Sequence, residues 1–325
     1  MIKILGYYGS VGKCAFGDRP IISNKTNMTQ VGLITSQKLA KNLSKQLGVS
    51  VYLKREDLHK YKSHKGRSIP FMIEQHYKIG WRNFVISSSG NAALAAGMYI
   101  DERNKKKPNQ KLNLQIFVGK NIDKKKLKKN IATEALVSIV DNPRQRAFLM
   151  EKNKQAKNLR QSTDNTALEG YLELAKELSK IKNLSAVFVP TSSGTTALGL
   201  YLAFKKIKMS PQIHIIQTQS CHPMVRNKTG LNSLNKSNLK EKSIADAIVD
   251  NIGLRKIDIA EAIKNSHGNG WIAENKEIKS AIQLVKKSED ITITANGALA
   301  IVGLQKALNQ GWKFSGSIAC LITGS

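Results

Sequence analysis

Acidic residues are scarce in this chain. Its 325 residues hold 23 Asp and Glu against 52 Lys and Arg, a formal net charge of +29. Such an excess permits attraction to nucleic acid or to anionic surfaces. Aromatics are scarce too, at 6%, and no basic helix with interleaved aromatics is visible, which argues against a dedicated nucleic-acid reader. Basic residues are spread along the whole chain, with local runs at 105–107 and 124–129. A lysine-rich solvated surface is the plain reading; a basic nucleic-acid-binding protein is an alternative. The cysteines are only Cys14, Cys221 and Cys320. Three scattered thiols make neither a disulfide framework nor a zinc-ligand spacing, so no metal is expected and a reducing cytoplasm is the natural compartment. Long apolar runs are missing as well. No window holds the roughly 20 uninterrupted apolar residues of a spanning helix, so no membrane is expected, and the opening MIKILGYYGS is too short in its apolar run for a signal peptide.

What is present is an ordinary apolar share, 41%, enough for one large domain or two of usual size. Short apolar runs alternate with helical patterns. VYLK (Val51 to Lys54), NFVIS (Asn83 to Ser87), LQIFV (Leu114 to Val118), LVSIV (Leu136 to Val140), AVFVP (Ala186 to Pro190), IHIIQT (Ile213 to Thr218) and SIACLIT (Ser317 to Thr323) read as buried strands. NAALAAGMYIDERNKK and TALEGYLELAKELSKI read as helices, the second with Leu168, Tyr171, Leu172, Ala175 and Leu178 at helical spacing. This alternation predicts an α/β protein with mainly parallel sheet. The polar stretch from Arg226 to Lys242 reads as a loop. GYYGSVGKC looks like a phosphate loop but fails it. The motif requires Gly where Tyr7 stands and Ser or Thr where Cys14 stands.

Chemistry-bearing residues gather at three joints between strand and helix. In VYLKREDLHKYKSHKGR a strand ends in charged residues and Ser63-His64-Lys65-Gly66-Arg67 opens a helix. A lysine held near a positive helix end, away from bulk water, disfavours its ammonium form, and a nucleophilic amine becomes accessible. The alternative is a plain surface lysine. In VISSSGNAALAAG, Ser87 to Asn91 precede an alanine-rich helix, an arrangement that suits an anion or is simply a serine cap. In AVFVPTSSGTTALGLYLAF, Thr191 to Thr196 precede an apolar helix, with hydroxyls and a glycine that suit phosphate.

Together these segments resemble the fold-type II pyridoxal-phosphate enzymes, the group of threonine dehydratase, threonine synthase, cysteine synthase and the tryptophan synthase β subunit. The family pattern Lys-x-Glu, a gap, then Ser-x-Lys-x-Arg matches Lys54, Glu56, Ser63, Lys65 and Arg67. The Ser-x-Gly-Asn loop matches Ser88-Ser89-Gly90-Asn91, and the phosphate loop matches Ser192 to Thr196 with only Gly194 kept as glycine. TANGALAIVGL and the closing ACLITGS are similar to later family segments. The resemblance covers roughly residues 33 to 325. It implies two open, twisted, mainly parallel sheets flanked by helices, with the cofactor in the cleft between domains. Residues 45–165 would form the smaller domain, and 1–44 with 166–325 the larger.

The resemblance also implies roles. Lys65 would be the Schiff-base lysine of a pyridoxal 5'-phosphate enzyme. His64, Asn91, Ser192, Ser193, Gly194, Thr195, Thr196 and Thr323 would touch the cofactor, with Thr323 at the pyridine nitrogen. Ser88, Ser89, Gly90 and Asn91 would hold the substrate carboxylate. Thr294 stands where dehydratases carry a glutamate. The chain stops at Ser325, so the end of the site is expected to be open or completed by another subunit, and a homodimer is expected. The implied activity is β-elimination, or β- or γ-replacement, on a small amino acid. The residues themselves leave those fates undivided. The phosphate loop, poor in glycine, keeps a catalytically weakened cofactor binder as an alternative.

Overall fold

A computed structural model describes residues 34–225 and 241–324. The segment GYYGSVGKC and most of the polar stretch from Arg226 to Lys242 lie outside the described residues. In chain order the elements are β1 (Gln37–Leu39), α1 (Lys41–Leu47), β2 (Val51–Arg55), α2 (Lys65–Lys78), β3 (Asn83–Ser87), α3 (Asn91–Lys106), β4 (Asn113–Val118), α4 (Lys124–Ile131), β5 (Leu136–Ile139), α5 (Pro143–Lys152), β6 (Lys157–Asn158), α6 (Thr166–Glu169), α7 (Leu172–Leu178), β7 (Leu184–Pro190), α8 (Thr195–Lys206), β8 (Gln212–Thr218), α9 (Lys256–Asn265), β9 (Gly270–Ala273), α10 (Asn275–Glu289), α11 (Ala295–Asn309) and β10 (Ser317–Ile322).

The strands form a six-stranded sheet, ordered β1-β2-β10-β7-β8-β9, and a four-stranded sheet, ordered β5-β4-β3-β6. Every pairing is parallel except β1 with β2. The expected α/β class with two mainly parallel sheets is present. Parallel strands are commonly buried on both faces, which is why most of these read as unbroken apolar runs; β5, expected to be buried, is instead an edge strand with Leu136 and Ile139 exposed. Alternation sorts the residues of the large sheet. Val51, Leu53, Phe188, Ile216, Ile318 and Cys320 pack with α10 and α11 on one face. Val187, Val189, Ile213, Ile215, Ala319 and Leu321 pack with α7 and α8 on the other. In the small sheet Phe84, Ile86, Leu114 and Ile116 meet Ile69, Met72 and Ile73 of α2 and Ala93, Ala96 and Ile100 of α3.

Two expectations are corrected. The strand Val51–Arg55 does not belong with the small sheet. It pairs with β10 in parallel and with β1 in antiparallel, both in the large sheet, whereas the resemblance grouped it with residues 45–165. The helix expected over TALEGYLELAKELSKI is broken into α6 and α7. The break falls at Gly170, where a β-carbon would stand 2.6 Å from the Ser68 backbone of α2. Close approach of two helices, not helical propensity, decides that stretch. Among the described residues no helix is long and apolar enough to cross a membrane.

A buried ion cluster joins β2, α2 and α7. Arg67 donates from Nε to Glu56 Oε2 at 2.9 Å and from NH2 to Glu56 Oε1 at 2.7 Å. Its NH1 meets Glu177 Oε1 at 2.5 Å. Lys54 pairs with Glu177 and donates to the Thr35 carbonyl at 2.9 Å. The Lys54 and Glu56 side chains are fully buried. Burial draws the Lys54 ammonium below its usual range, while Glu177 supports it. Lys54, Glu56 and Arg67, three residues of the Lys-x-Glu and Ser-x-Lys-x-Arg pattern, are thus one charge-balanced structural unit. Removing one member strands the others without water. Arg67→Met is therefore expected to lower the unfolding free energy by about 3–5 kcal/mol. The urea midpoint should fall at constant slope, and an unmoved midpoint would show that the cluster adds nothing.

Candidate active site

One end of the two sheets opens into a cleft of about 670 Å³. It is built where β3, β7 and β10 end and where α2, α3 and α8 begin. Carboxyl ends of parallel strands are the usual binding edge of open α/β sheets, because the helix N-termini that follow present free N–H groups there. His64 and Lys65, Ser87 to Asn91, Thr191 to Thr196 and Thr323 line this cleft, so the structure brings together what the sequence scatters, while Ser63, Gly66 and Arg67 of the first joint do not line it.

Lys65 is the first residue of α2 and is partly buried in the cleft wall. Loss of water draws its ammonium down to about 8, partly opposed by the Asp250 carboxylate. His64, just before it, is buried, and its Nδ1 lies 2.9 Å from the Thr323 carbonyl. That carbonyl accepts, so Nδ1 carries the proton and Nε2 is left as an acceptor. Burial first, then the Lys65 charge, push His64 down to about 3 and keep the ring neutral. The same carbonyl accepts from the His64 backbone N–H at 3.2 Å. Ser63 bridges to Gly324, whose φ is +89°, and a β-carbon at 324 would lie 2.6 Å from the Lys62 carbonyl. The end of β10 is therefore stitched to the start of α2. Thr294 joins the same stitch. It caps α11 by accepting from Gly297 N–H at 3.3 Å and donates to the Gly324 carbonyl at 3.4 Å.

The loop before α8 turns at Gly194, with φ +81°. A side chain there would meet Ile259 at 2.8 Å. The first helical bond of α8 is Leu198 N–H to the Gly194 carbonyl, 2.9 Å, so the N–H groups of Thr195, Thr196 and Ala197 lack helical acceptors. The hydroxyls of this loop have protein partners. Thr196 Oγ1 donates to Tyr171 Oη at 2.9 Å, and Thr195 Oγ1 lies 3.3 Å from the Gln161 carbonyl and 3.0 Å from Ser193 Oγ. Ser192 Oγ accepts from the Val249 and Asp250 N–H groups at 3.2 and 3.3 Å. These side chains hold the loop, and its backbone supplies the free donors. In the loop before α3, Ser88 Oγ accepts from Gly90 N–H at 3.3 Å, and Asn130 of α4 donates to the Ser89 carbonyl at 3.2 Å.

Sequence reasoning missed several wall residues. Gln161 donates to Ser68 Oγ one turn past Lys65 and holds Thr195 and Arg255 through its carbonyl. Tyr171 read as a helix core residue, which it is, but its buried hydroxyl also joins Ser68 to Thr196. Asp246, Asp250 and Asn296 also line the cleft. No short-range pattern marks any of them.

The site fits pyridoxal phosphate on its own terms. It offers a neutralisable amine at Lys65, an anion-ready helix start at α8, and at Thr323, a residue 3% exposed in the cleft wall, a side-chain hydroxyl. Fold and cleft together define a fold-type II pyridoxal-phosphate enzyme. Residues 32–324 match the family described as pyridoxal-phosphate dependent enzyme, and the chain belongs to it. It is 25% identical to the threonine synthase of Mycobacterium bovis over 327 residues, 96% of this chain and 86% of the relative. Among solved structures it resembles maize serine racemase, with TM-score 0.74 and 16% identity over 89% of this chain and 87% of the other. It also resembles the processed threonine deaminase isoform 2 of Solanum lycopersicum, with TM-score 0.73 and 20% identity over 90% and 79%. At those identities the two structures speak for the fold.

Reactivity of Lys65 follows from its surroundings. In cofactor-free protein its amine should be labelled by an amine-directed reagent with a midpoint near pH 8, where an ordinary lysine needs pH above 10. The sign is fixed by burial, which favours the neutral form, so labelling rises with pH. Peptide mapping at each pH would read it, and a midpoint above 10 would show the ammonium is fully solvated.

Proposed function

We propose that the protein catalyses elimination or replacement at the β or γ carbon of a small amino acid, as an ammonia-lyase or a synthase. The observation that carries this reading is Lys65, an amine with a lowered pKa at a helix start between two loops of free N–H groups. Pyridoxal phosphate, when bound, supplies the carbonyl that the amine takes up and the sink for charge developing at the substrate's Cα. The N–H groups at the start of α8 would hold the phosphate. Ser88 to Asn91, at the start of α3, would hold the substrate carboxylate by the same physics. So oriented, the substrate presents its Cα proton to Lys65 Nζ, which takes it as general base. An amine that titrates near the working pH is suited to take and return a proton. Thr323 would offer the pyridine nitrogen a neutral hydroxyl in place of a carboxylate. A hydroxyl does not hold that nitrogen protonated, which supports departure of a leaving group over amino transfer. His64 keeps Thr323 in place through its carbonyl.

The relatives support the reaction class in outline. Threonine synthase and threonine deaminase name a replacement and an elimination, and the racemase among the structures names a third outcome of the same Cα proton removal. Borohydride treatment of the holoprotein should fix the cofactor on Lys65, located by mass spectrometry. Lys65→Ala should lose that adduct and turnover of serine and threonine to keto acid and ammonia by at least a hundredfold, the lower end of what a general base contributes. Pure racemisation, with no keto acid and no replacement product from a panel of β- and γ-substituted amino acids, would overturn the reading.

A further inference from the structure

Two acids line the cleft, and they are not equivalent. Asp246 is neutralised. Lys126 Nζ lies 2.6 Å from its Oδ2, and Asn296 Nδ2 donates to its Oδ1 at 3.1 Å. Asp250 accepts from the Ile252 N–H at 3.2 Å through Oδ1. Among the described residues its Oδ2 has no partner, and no cation lies within ion-pair distance. The backbone that carries it is nonetheless held firmly. Ser192 Oγ takes the N–H groups of Val249 and Asp250, and Asn296 Oδ1 takes that of Ala247 at 3.0 Å. This is a partly buried carboxylate, fixed in the wall that also carries Lys65, with an open oxygen. A carboxylate accepts hydrogen bonds and offers none. It rewards a ligand that brings a donor and penalises one that brings a second anion.

We propose that Asp250 is a specificity-determining residue of the cleft: it receives a hydrogen-bond donor on the substrate's side chain, a hydroxyl or an ammonium, and excludes side chains that carry a phosphate. The inference rests on the reading of the site given above and narrows its substrate class. A phosphate ester would set its charge against the Asp250 carboxylate. A β-hydroxy or β-amino acid would satisfy the open oxygen. Asp250 also supports the Lys65 ammonium against the effect of burial, so the two groups share one electrostatic environment.

The test uses holoprotein, with binding read from the cofactor's visible absorbance and turnover read alongside. The probes are alanine, serine, 2,3-diaminopropionate, O-phosphoserine and O-phosphohomoserine. Serine or diaminopropionate should bind tighter than alanine, and both phosphate esters weaker. The stronger of the first two tells hydroxyl from ammonium. In Asp250→Asn, which keeps the shape and the acceptor for Ile252, preference for the better donor over alanine should fall about tenfold or more, since hydrogen bonds to charged groups are the strong ones. Discrimination against the esters should shrink. In cofactor-free protein the same variant should move the Lys65 labelling midpoint to lower pH, because a nearby negative charge has been removed. Wild-type preference for O-phosphohomoserine, or an unchanged ranking in the variant despite a normal alanine response, would overturn the Asp250 assignment alone. No absorbance response to any amino acid would overturn the reading of the site together with it.

Discussion

Two cations and two anions without water hold this site in shape. Lys54, Glu56, Arg67 and Glu177 come from β2, the turn after it, α2 and α7. Each charge is tolerable only because the others stand beside it. The cluster fixes where α2 begins relative to the large sheet, because Arg67 sits two positions beyond Lys65 and cannot shift without leaving Glu56 and Glu177 unpaired. A reactive amine at the first residue of a helix needs such an anchor, since helix ends otherwise fray. The anchor is polar where a hydrophobic contact would have been cheaper to form. An apolar contact tolerates sliding by an ångström, whereas a bidentate guanidinium–carboxylate pair has one geometry.

Around that anchor the polar contacts run in a closed circuit. From α2, Ser68 reaches Tyr171, Tyr171 reaches Thr196, and Thr195 reaches the Gln161 carbonyl, whose own amide returns to Ser68. Two of the hydroxyls that resemble phosphate ligands in the sequence, those of Thr195 and Thr196, take part in this circuit. They tie the loop that turns at Gly194 to α2 and α6–α7.

The sequence disclosed the parts of this arrangement that depend on local pattern. Seven strands announce themselves as apolar runs, six of them because they are largely buried, and β5 although Leu136 and Ile139 are exposed at the sheet edge. The three that escaped, β1, β6 and β9, are among the shortest, with 3, 2 and 4 residues. Lys65, Ser88 to Asn91 and Ser192 to Thr196 were legible because each sits at a joint with its own small-residue or charged signature. Asp250 was not, because an aspartate in a polar segment looks the same whether it faces bulk water or a cleft. Glu177 was hidden for a related reason. On α7 it occupies an ordinary helical position, and only its partners across space, Lys54 in β2 and Arg67 in α2, make it structural. The sheet to which β2 belongs was likewise set by pairing across the chain, with β10, and not by order along it.

That pairing has a consequence for biosynthesis. β10 lies in the middle of the large sheet, between β2 and β7, yet it follows every other described strand in the sequence. As the chain emerges, β2 and β7 expose unpaired apolar edges with nothing between them, a state prone to wrong partners. The small sheet, whose four strands all fall between Asn83 and Asn158, suffers no such delay. The small sheet can therefore close early, whereas the start of α2, stitched to Thr323 and Gly324, is completed only once β10 has emerged.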